Sequence, residues 1–191
     1  MNEMRFQDQV VVITGAARGQ GRSHALAFAR EGTHLVICDT SRTYASVPYA
    51  LGTQEELAQV AQEIEAMGRR VLAMDADVTD LHAMSHLVDT AHHQFGAIDI
   101  VVANAGLYSF GSTWELTEQQ WDETLAVDLK GVWLTCKVIL LANPRTYAIK
   151  AANFDVRVLA RGSPCDHARN RTTLIAVAIT KCWRCVFRIP Q

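Results

Sequence analysis

Gly15, Gly19 and Gly21 lie in the run Thr14-Gly15-Ala16-Ala17-Arg18-Gly19-Gln20-Gly21, directly after the apolar stretch Val10-Val11-Val12-Ile13. Glycines at this spacing let a chain turn tightly and bring its backbone close to a pyrophosphate. A helix opening at the turn points free N–H groups, and the positive end of its dipole, at the same anion. A glycine triplet alone is a weak signal, and the plain alternative is an ordinary strand–helix turn. A strand before it and a helix after it give it weight.

Three further groups could complete a nucleotide site. Asp39 closes the apolar run His34-Leu35-Val36-Ile37-Cys38, 18 residues after Gly21. A carboxylate there accepts hydrogen bonds from adenosine ribose hydroxyls and repels a 2′-phosphate, which favours NAD over NADP. A turn or cap residue is the alternative. Asp77-Val78 follows Arg70-Val71-Leu72-Ala73-Met74. Its carboxylate could take the exocyclic amine of adenine while Val78 packs on the ring, although the pair could equally be a turn. Asn104-Ala105-Gly106 follows Ile98-Asp99-Ile100-Val101-Val102-Ala103. Small residues there let the chain pass close to a ribose or nicotinamide.

These groups need elements to hold them. The four apolar runs read as strands buried on both faces of a parallel sheet. A helix is expected from Arg22 to Arg30, closed by Gly32. Residues 40–52 read as a long loop. Thr53 with Glu56 makes a capping box for a helix to about Met67. A third helix runs from about Asp80 to Phe95, and Thr117 with Gln120 opens a fourth that continues past Trp133. Four strand–helix alternations imply an α/β fold, a Rossmann-type doubly wound parallel sheet. Ligands in such sheets bind outside the carboxyl ends of the strands, where all these groups lie.

The 191-residue chain is 49% hydrophobic and 20% charged, which reads as globular. Its net charge of −2 argues against nucleic-acid binding. No apolar run is long enough to span a membrane. No secretory signal is visible over Met1 to Asp8, which points to the cytoplasm. Five cysteines at irregular spacing argue against a disulfide framework. The average hides a split, however. Residues 1–138 carry 9 Lys+Arg against 18 Asp+Glu, while residues 139–191 carry 9 against 2. The α/β rhythm fails after Val138. Phe154 to Val158 alternates like a strand and Leu174 to Ile179 is apolar enough for another, with the unpatterned Arg161 to His167 between them. Residues 1–138 therefore read as an NAD-binding region and 139–191 as a divergent basic tail.

Thr14-Gly15-(x)3-Gly19-x-Gly21, Asp39, Asp77-Val78 and Asn104-Ala105-Gly106, in this order and spacing, resemble the short-chain dehydrogenase/reductase family. Gln20-Gly21-Arg22-Ser23-His24 and the loop at 40–52 resemble its carveol dehydrogenase-like, mycofactocin-coupled subgroup. The resemblance covers residues 7–138. It implies NAD held by Ala17, Arg18, Gly19, Gln20, Asp39, Asp77, Val78 and Asn104, beside Gly15, Gly21, Ala105 and Gly106. It also implies hydride transfer between NAD and a small alcohol or ketone, and homo-oligomers packed through helices flanking a fifth strand.

Members of that family use an Asn on the helix after the fourth strand, then a Ser, then Tyr-x-x-x-Lys, with Tyr as general acid/base and Lys lowering its pKa. Here Asp128 stands at the Asn position. A carboxylate cannot donate unless protonated, which undercuts the water-relay role of the Asn. Tyr147 and Lys150, in Tyr147-Ala148-Ile149-Lys150, are the candidates for the pair. Only 18 residues separate Asp128 from Tyr147. Finishing a helix, crossing a loop, running a strand and presenting a Ser takes roughly 25–30. The pair therefore reads as coincidence, and no intact catalytic set is expected.

Two metal-like groupings also read as coincidence. His82, His86, Asp89 and His93 share one helix face, yet lie round from the apolar stripe Leu81, Met84, Val88, Ala91, Phe95, as a solvated face would. Cys165, His167, Cys182 and Cys185 could ligate zinc, but one CxxC without a second pair is weak. The expected function is an NAD-dependent oxidoreductase of this family, catalytically impaired in this chain. The alternative is a non-catalytic NAD-binding module whose Cys/His tail holds zinc or a partner. The charge reversal and lost rhythm suggest a frameshift, truncation or altered splice near residues 138–145. If a frameshift, the coding DNA beyond Val138, read in its other two frames, will encode a strand, a Ser and Tyr-x-x-x-Lys. If neither frame does, a frameshift is excluded.

Overall fold

The computed structural model describes residues 4–142 in full and, as backbone, residues 147–151 and 173–177. Strand β1 (Val10–Thr14) is buried along its whole length. It pairs in parallel with β2 (His34–Asp39) on one side and β4 (Ile100–Val102) on the other. Its residues alternate between two cores, as period-two geometry requires. Val10 and Val12 pack with Met84, Leu87 and Val88 of α3 (Leu81–Phe95) and with Val138 and Ile139 of α5 (Val132–Ala142). Val11 and Ile13 pack with Ala25, Leu26 and Ala29 of α1 (Gly19–Arg30) and with Leu57, Val60 and Ile64 of α2 (Gln54–Ala66). A strand covered on both faces tolerates no polar alternation, hence its unbroken apolar run.

Among the described residues the sheet has six parallel strands in the order β3-β2-β1-β4-β6-β5, where β3 is Val71–Asp75, β5 is Tyr147–Ala151 and β6 is Thr173–Val177. From β1 the chain steps through β2 to β3, then returns to place β4 on the opposite side of β1. That reversal opens a crevice at the carboxyl ends of β1 and β4. The expected Rossmann-type fold is thus present. The neighbour of β4 is drawn from late in the chain: Ile100, Val101 and Val102 pair with Leu174, Ile175 and Ala176. The strand expected at Phe154 to Val158 lies outside the described residues. Among the described residues, no helix is long and apolar enough to cross a membrane.

Local signals set most helix ends. The Thr53–Glu56 and Thr117–Gln120 capping boxes both form, and Asp80 accepts the N–H groups of His82 and Ala83. Gly96, at φ +81, ends α3 in the left-handed region that favours glycine. Three expectations need correction. Helix α1 begins at Gly19, inside the glycine turn, rather than at Arg22. The helix expected to run on from Glu118 is α4 (Glu118–Leu125), then a π-helical segment, Ala126–Gly131, then α5. The buried stripe of α3 includes Leu87, fully buried, and omits Leu81, which is 44% exposed in the first turn.

The corrected stripe can be tested by urea unfolding. Leu87→Ala is expected to cost about 2–5 kcal/mol, as for large-to-small core changes. Leu81→Ala is expected to stay within about 0.5 kcal/mol. Equal losses would refute this placement of the stripe.

Candidate functional site

The three turn glycines are required for different reasons. A Cβ on Gly15 would lie 2.8 Å from the Ala105 Cα, so a side chain there would push β4's loop away. A Cβ on Gly21 would lie 2.0 Å from the Gly15 carbonyl oxygen, so the turn could not close. Gly19 sits at φ +57 and faces open space. Among the described residues no side chain caps the N-terminus of α1, whereas α2, α3 and α4 are each capped by one. The uncapped N-terminus of α1 therefore keeps donors and a partial positive charge for an anion.

The floor of the site is the junction of β1 and β4. The Thr14 hydroxyl accepts the N–H groups of Asn104 and Ala105, each at 3.0 Å. The Asn104 side-chain amide donates to the Thr14 and Gly15 carbonyls at 3.0 and 3.1 Å. Asn104 is thus a stitch between strands as well as a lining residue. Sequence reasoning gave Thr14 no role of its own. The available signal was a hydroxyl at the last position of a wholly apolar strand.

Each carboxylate at the strand ends is held by nearby donors. Asp39 accepts the Ala17 N–H on Oδ2 and the Thr40 N–H on Oδ1, both at 2.9 Å. Burial raises its pKa above the ordinary carboxylate value, against the opposing pull of these two N–H groups. Asp77 accepts the Thr79 N–H and hydroxyl on Oδ1, at 2.8 and 2.7 Å, and the Tyr44 hydroxyl on Oδ2 at 2.9 Å. Burial alone would raise the Asp77 pKa, but these donors and Arg42 outweigh it and hold it below the usual range.

Residues 40–52, legible in sequence only as a long loop, form one wall. Ala50 accepts from the Arg18 guanidinium at 2.7 Å, the Tyr49 hydroxyl accepts the Tyr108 N–H at 2.9 Å, and Ser46 bonds to Glu123. The result is a cleft of about 330 Å³. Of the proposed cofactor residues, Gly15, Arg18, Gly19, Gln20, Asp39, Asp77, Val78, Asn104, Ala105 and Gly106 line it. Ala17 and Gly21 lie behind that lining, both buried. Tyr44, Tyr49, Leu51 and Val127 also line it, and sequence reasoning did not name them.

The other candidates fall elsewhere. Asp128 lies in the π-helical segment, and its Oδ1 accepts the Leu107 N–H at 2.9 Å. Tyr147 and Lys150 belong to strand β5, where a catalytic pair would need one helical turn between its members. They are also three positions apart, one short of Tyr-x-x-x-Lys. His82, His86, Asp89 and His93 are exposed. Among the described residues, no group of three or more His, Cys, Asp or Glu side chains could hold a metal. Cys165, His167, Cys182 and Cys185 lie outside the described residues.

Comparison with known proteins agrees with this geometry. The sequence model of a family described as short chain dehydrogenase matches residues 9–143. An uncharacterized NAD-dependent oxidoreductase of Mycobacterium tuberculosis is 44% identical over 135 residues, which are 70% of this chain and 49% of that protein. The (-)-trans-carveol dehydrogenase of Rhodococcus erythropolis is 42% identical over 135 residues, with the same shares. Carveol dehydrogenase from Mycobacterium avium, solved in complex with NAD, superposes with a TM-score of 0.72 and 32% identity, over 77% of this chain and 55% of that one. The chain spans about half the length of the curated relatives it matches.

The β1–β4 junction makes a direct prediction. Thr14→Val leaves two N–H groups without their acceptor, at an expected cost of about 1–3 kcal/mol in urea unfolding. Thr14→Ser keeps the hydroxyl and should recover most of that loss. A valine variant as stable as the serine variant would refute the stitch.

Proposed function

The chain belongs to the short-chain dehydrogenase family, and from that premise we propose that its cleft holds NAD. The pyrophosphate lies on the turn from Gly15 to Gly21 and the uncapped N-terminus of α1. The adenosine lies toward Asp39, Asp77 and Val78, and the nicotinamide end toward Asn104, Ala105 and Gly106. The observation that carries this reading is Asp39. Its carboxylate stands at the tip of β2 in the cleft, and backbone N–H groups leave acceptor capacity for ribose hydroxyls. Two relatives support the same cofactor: the mycobacterial oxidoreductase is described as NAD-dependent, and the M. avium enzyme was solved with NAD.

The chemistry NAD supplies when bound is hydride exchange with a small alcohol or ketone, the reaction expected of the family. This chain's own residues do the binding half of that task. The catalytic half is impaired. Asp128, at the position of the family's Asn, spends an acceptor on the Leu107 N–H. No Tyr after Asp128 is followed by Lys at the fourth position. The family match ends at 143, close to the change of charge balance. Residues 139–191 are accordingly proposed to be of different origin from the rest.

Calorimetric titration of the whole chain with NAD tests the reading. Asp39→Asn removes a charged acceptor worth about 1.5–3 kcal/mol, so affinity should fall roughly 10- to 100-fold. The pH dependence follows from the raised Asp39 pKa. The free protein keeps that proton to a higher pH than an ordinary Asp. Proton retention therefore stabilises the fold below the raised value, and that stability is lost as pH rises through it. NAD needs the ionised form, so its affinity should fall as pH drops through the same value, and Asp39→Asn should flatten this limb. No turnover of secondary alcohols is expected. Absence of NAD binding would overturn the cofactor assignment, and alcohol oxidation abolished by Tyr147→Phe would overturn the catalytic one.

A further inference from the structure

Asp77 is held more elaborately than a turn residue requires. A carboxylate offers about four acceptor sites. On Oδ1, the Thr79 N–H and hydroxyl take two of them, at 2.8 and 2.7 Å. Tyr44 has a single hydroxyl proton, and Oδ2 at 2.9 Å is nearer to it than Oδ1 at 3.1 Å. Arg42 reaches Oδ2 only at 3.3 Å, a long contact from an exposed side chain. The second acceptor on Oδ2 is therefore held only by this long, exposed contact, which an incoming donor can displace.

Tyr44 and Asp77 both line the cleft, with Ala76, Val78 and Leu51 as apolar neighbours. Tyr44 is buried, and the Arg42 guanidinium lies 4.7 Å above its ring, so the hydroxyl has little freedom to turn away. Burial and the adjoining carboxylate push its pKa up to about 12, so it remains a donor at any ordinary pH.

We propose that Tyr44 is a positioning residue for base recognition: with Thr79, it fixes the Asp77 carboxylate so that the remaining Oδ2 acceptor takes the exocyclic amine of adenine. The proposal rests on the reading of the cleft as an NAD site and adds what sets its base specificity. The discriminating ligand is nicotinamide hypoxanthine dinucleotide. It carries a carbonyl oxygen in place of the amine and so meets the carboxylate acceptor to acceptor.

The test is calorimetric titration of the full chain with both dinucleotides. The native protein should prefer NAD. Tyr44→Phe should weaken NAD about five- to tenfold and the hypoxanthine analogue less than about twofold, as expected for one lost hydrogen bond. A merely structural tyrosine would weaken both alike, and that result overturns the proposal. So does an unchanged NAD affinity. A native protein that binds both equally overturns it while leaving the NAD site intact, and one that binds neither overturns both. Asp77→Asn decides the matter if Tyr44→Phe does not fold. The Thr79 donors must keep the amide oxygen on their side, which turns the NH₂ toward the cleft and should invert the preference in favour of the analogue. Continued preference for NAD in Asp77→Asn overturns the proposal.

Discussion

Strands β1 and β4 lie about 90 positions apart in sequence, and their carboxyl ends are joined by the Thr14 hydroxyl and the Asn104 amide. Much of the site follows from this joint. It brings the β4 loop so close that Gly15 can carry no side chain. With Gly15 bare, the turn folds back tightly enough to start α1 at Gly19, inside the glycine run. The N-terminus of α1 then opens over the crevice without a capping side chain. Polar groups buried at such a junction must be paired or they cost free energy, and here each partner satisfies the other's backbone.

The cleft is electrostatically two-ended. The helix terminus gives the turn a partial positive charge, while the ends of β2 and β3 present Asp39, Asp75 and Asp77. Three carboxylates on neighbouring strands would repel one another if bare. Each is held by local donors: Ala17 and Thr40 for Asp39, Ser41 for Asp75, and Thr79, Tyr44 and Arg42 for Asp77. Residues 40–52 supply several of these donors. The long loop therefore does more than connect β2 to α2, because it makes the acidic end compatible with folding.

What could be read from sequence was whatever local chemistry decides. The run Val10 to Thr14 is apolar because both faces are covered, and Thr53 and Thr117 cap helices through residues only three positions away. Asp39 and Asp77 were legible because strand ends recur at fixed offsets from the glycine turn. Features set by distant contacts were less legible. Leu81 fits the apolar period of α3 but lies in its first turn, at the edge of the packed face, whereas Leu87 meets the sheet. The π-helical segment at 126–131 carries no composition signal. Tyr44 looked like one more loop residue because its partner, Asp77, is 33 positions away.

In the function proposed above, binding and catalysis separate along the chain, and the proposed split has a physical basis. The polar side chains that shape the cleft have partners inside residues 9–143: Asn104 with Thr14, Asp39 with Ala17, Asp77 with Tyr44 and Thr79. Asp128 belongs to this network too, since it holds the Leu107 N–H beside Gly106. In the π-helical segment it meets that N–H as an acceptor, a part a carboxylate plays well. The amide of an Asn can accept and donate at once, whereas a carboxylate donates only when protonated. On the reading proposed above, Asp128 secures the wall of the cleft while lacking the donor that a relay needs, so binding would outlast the reaction.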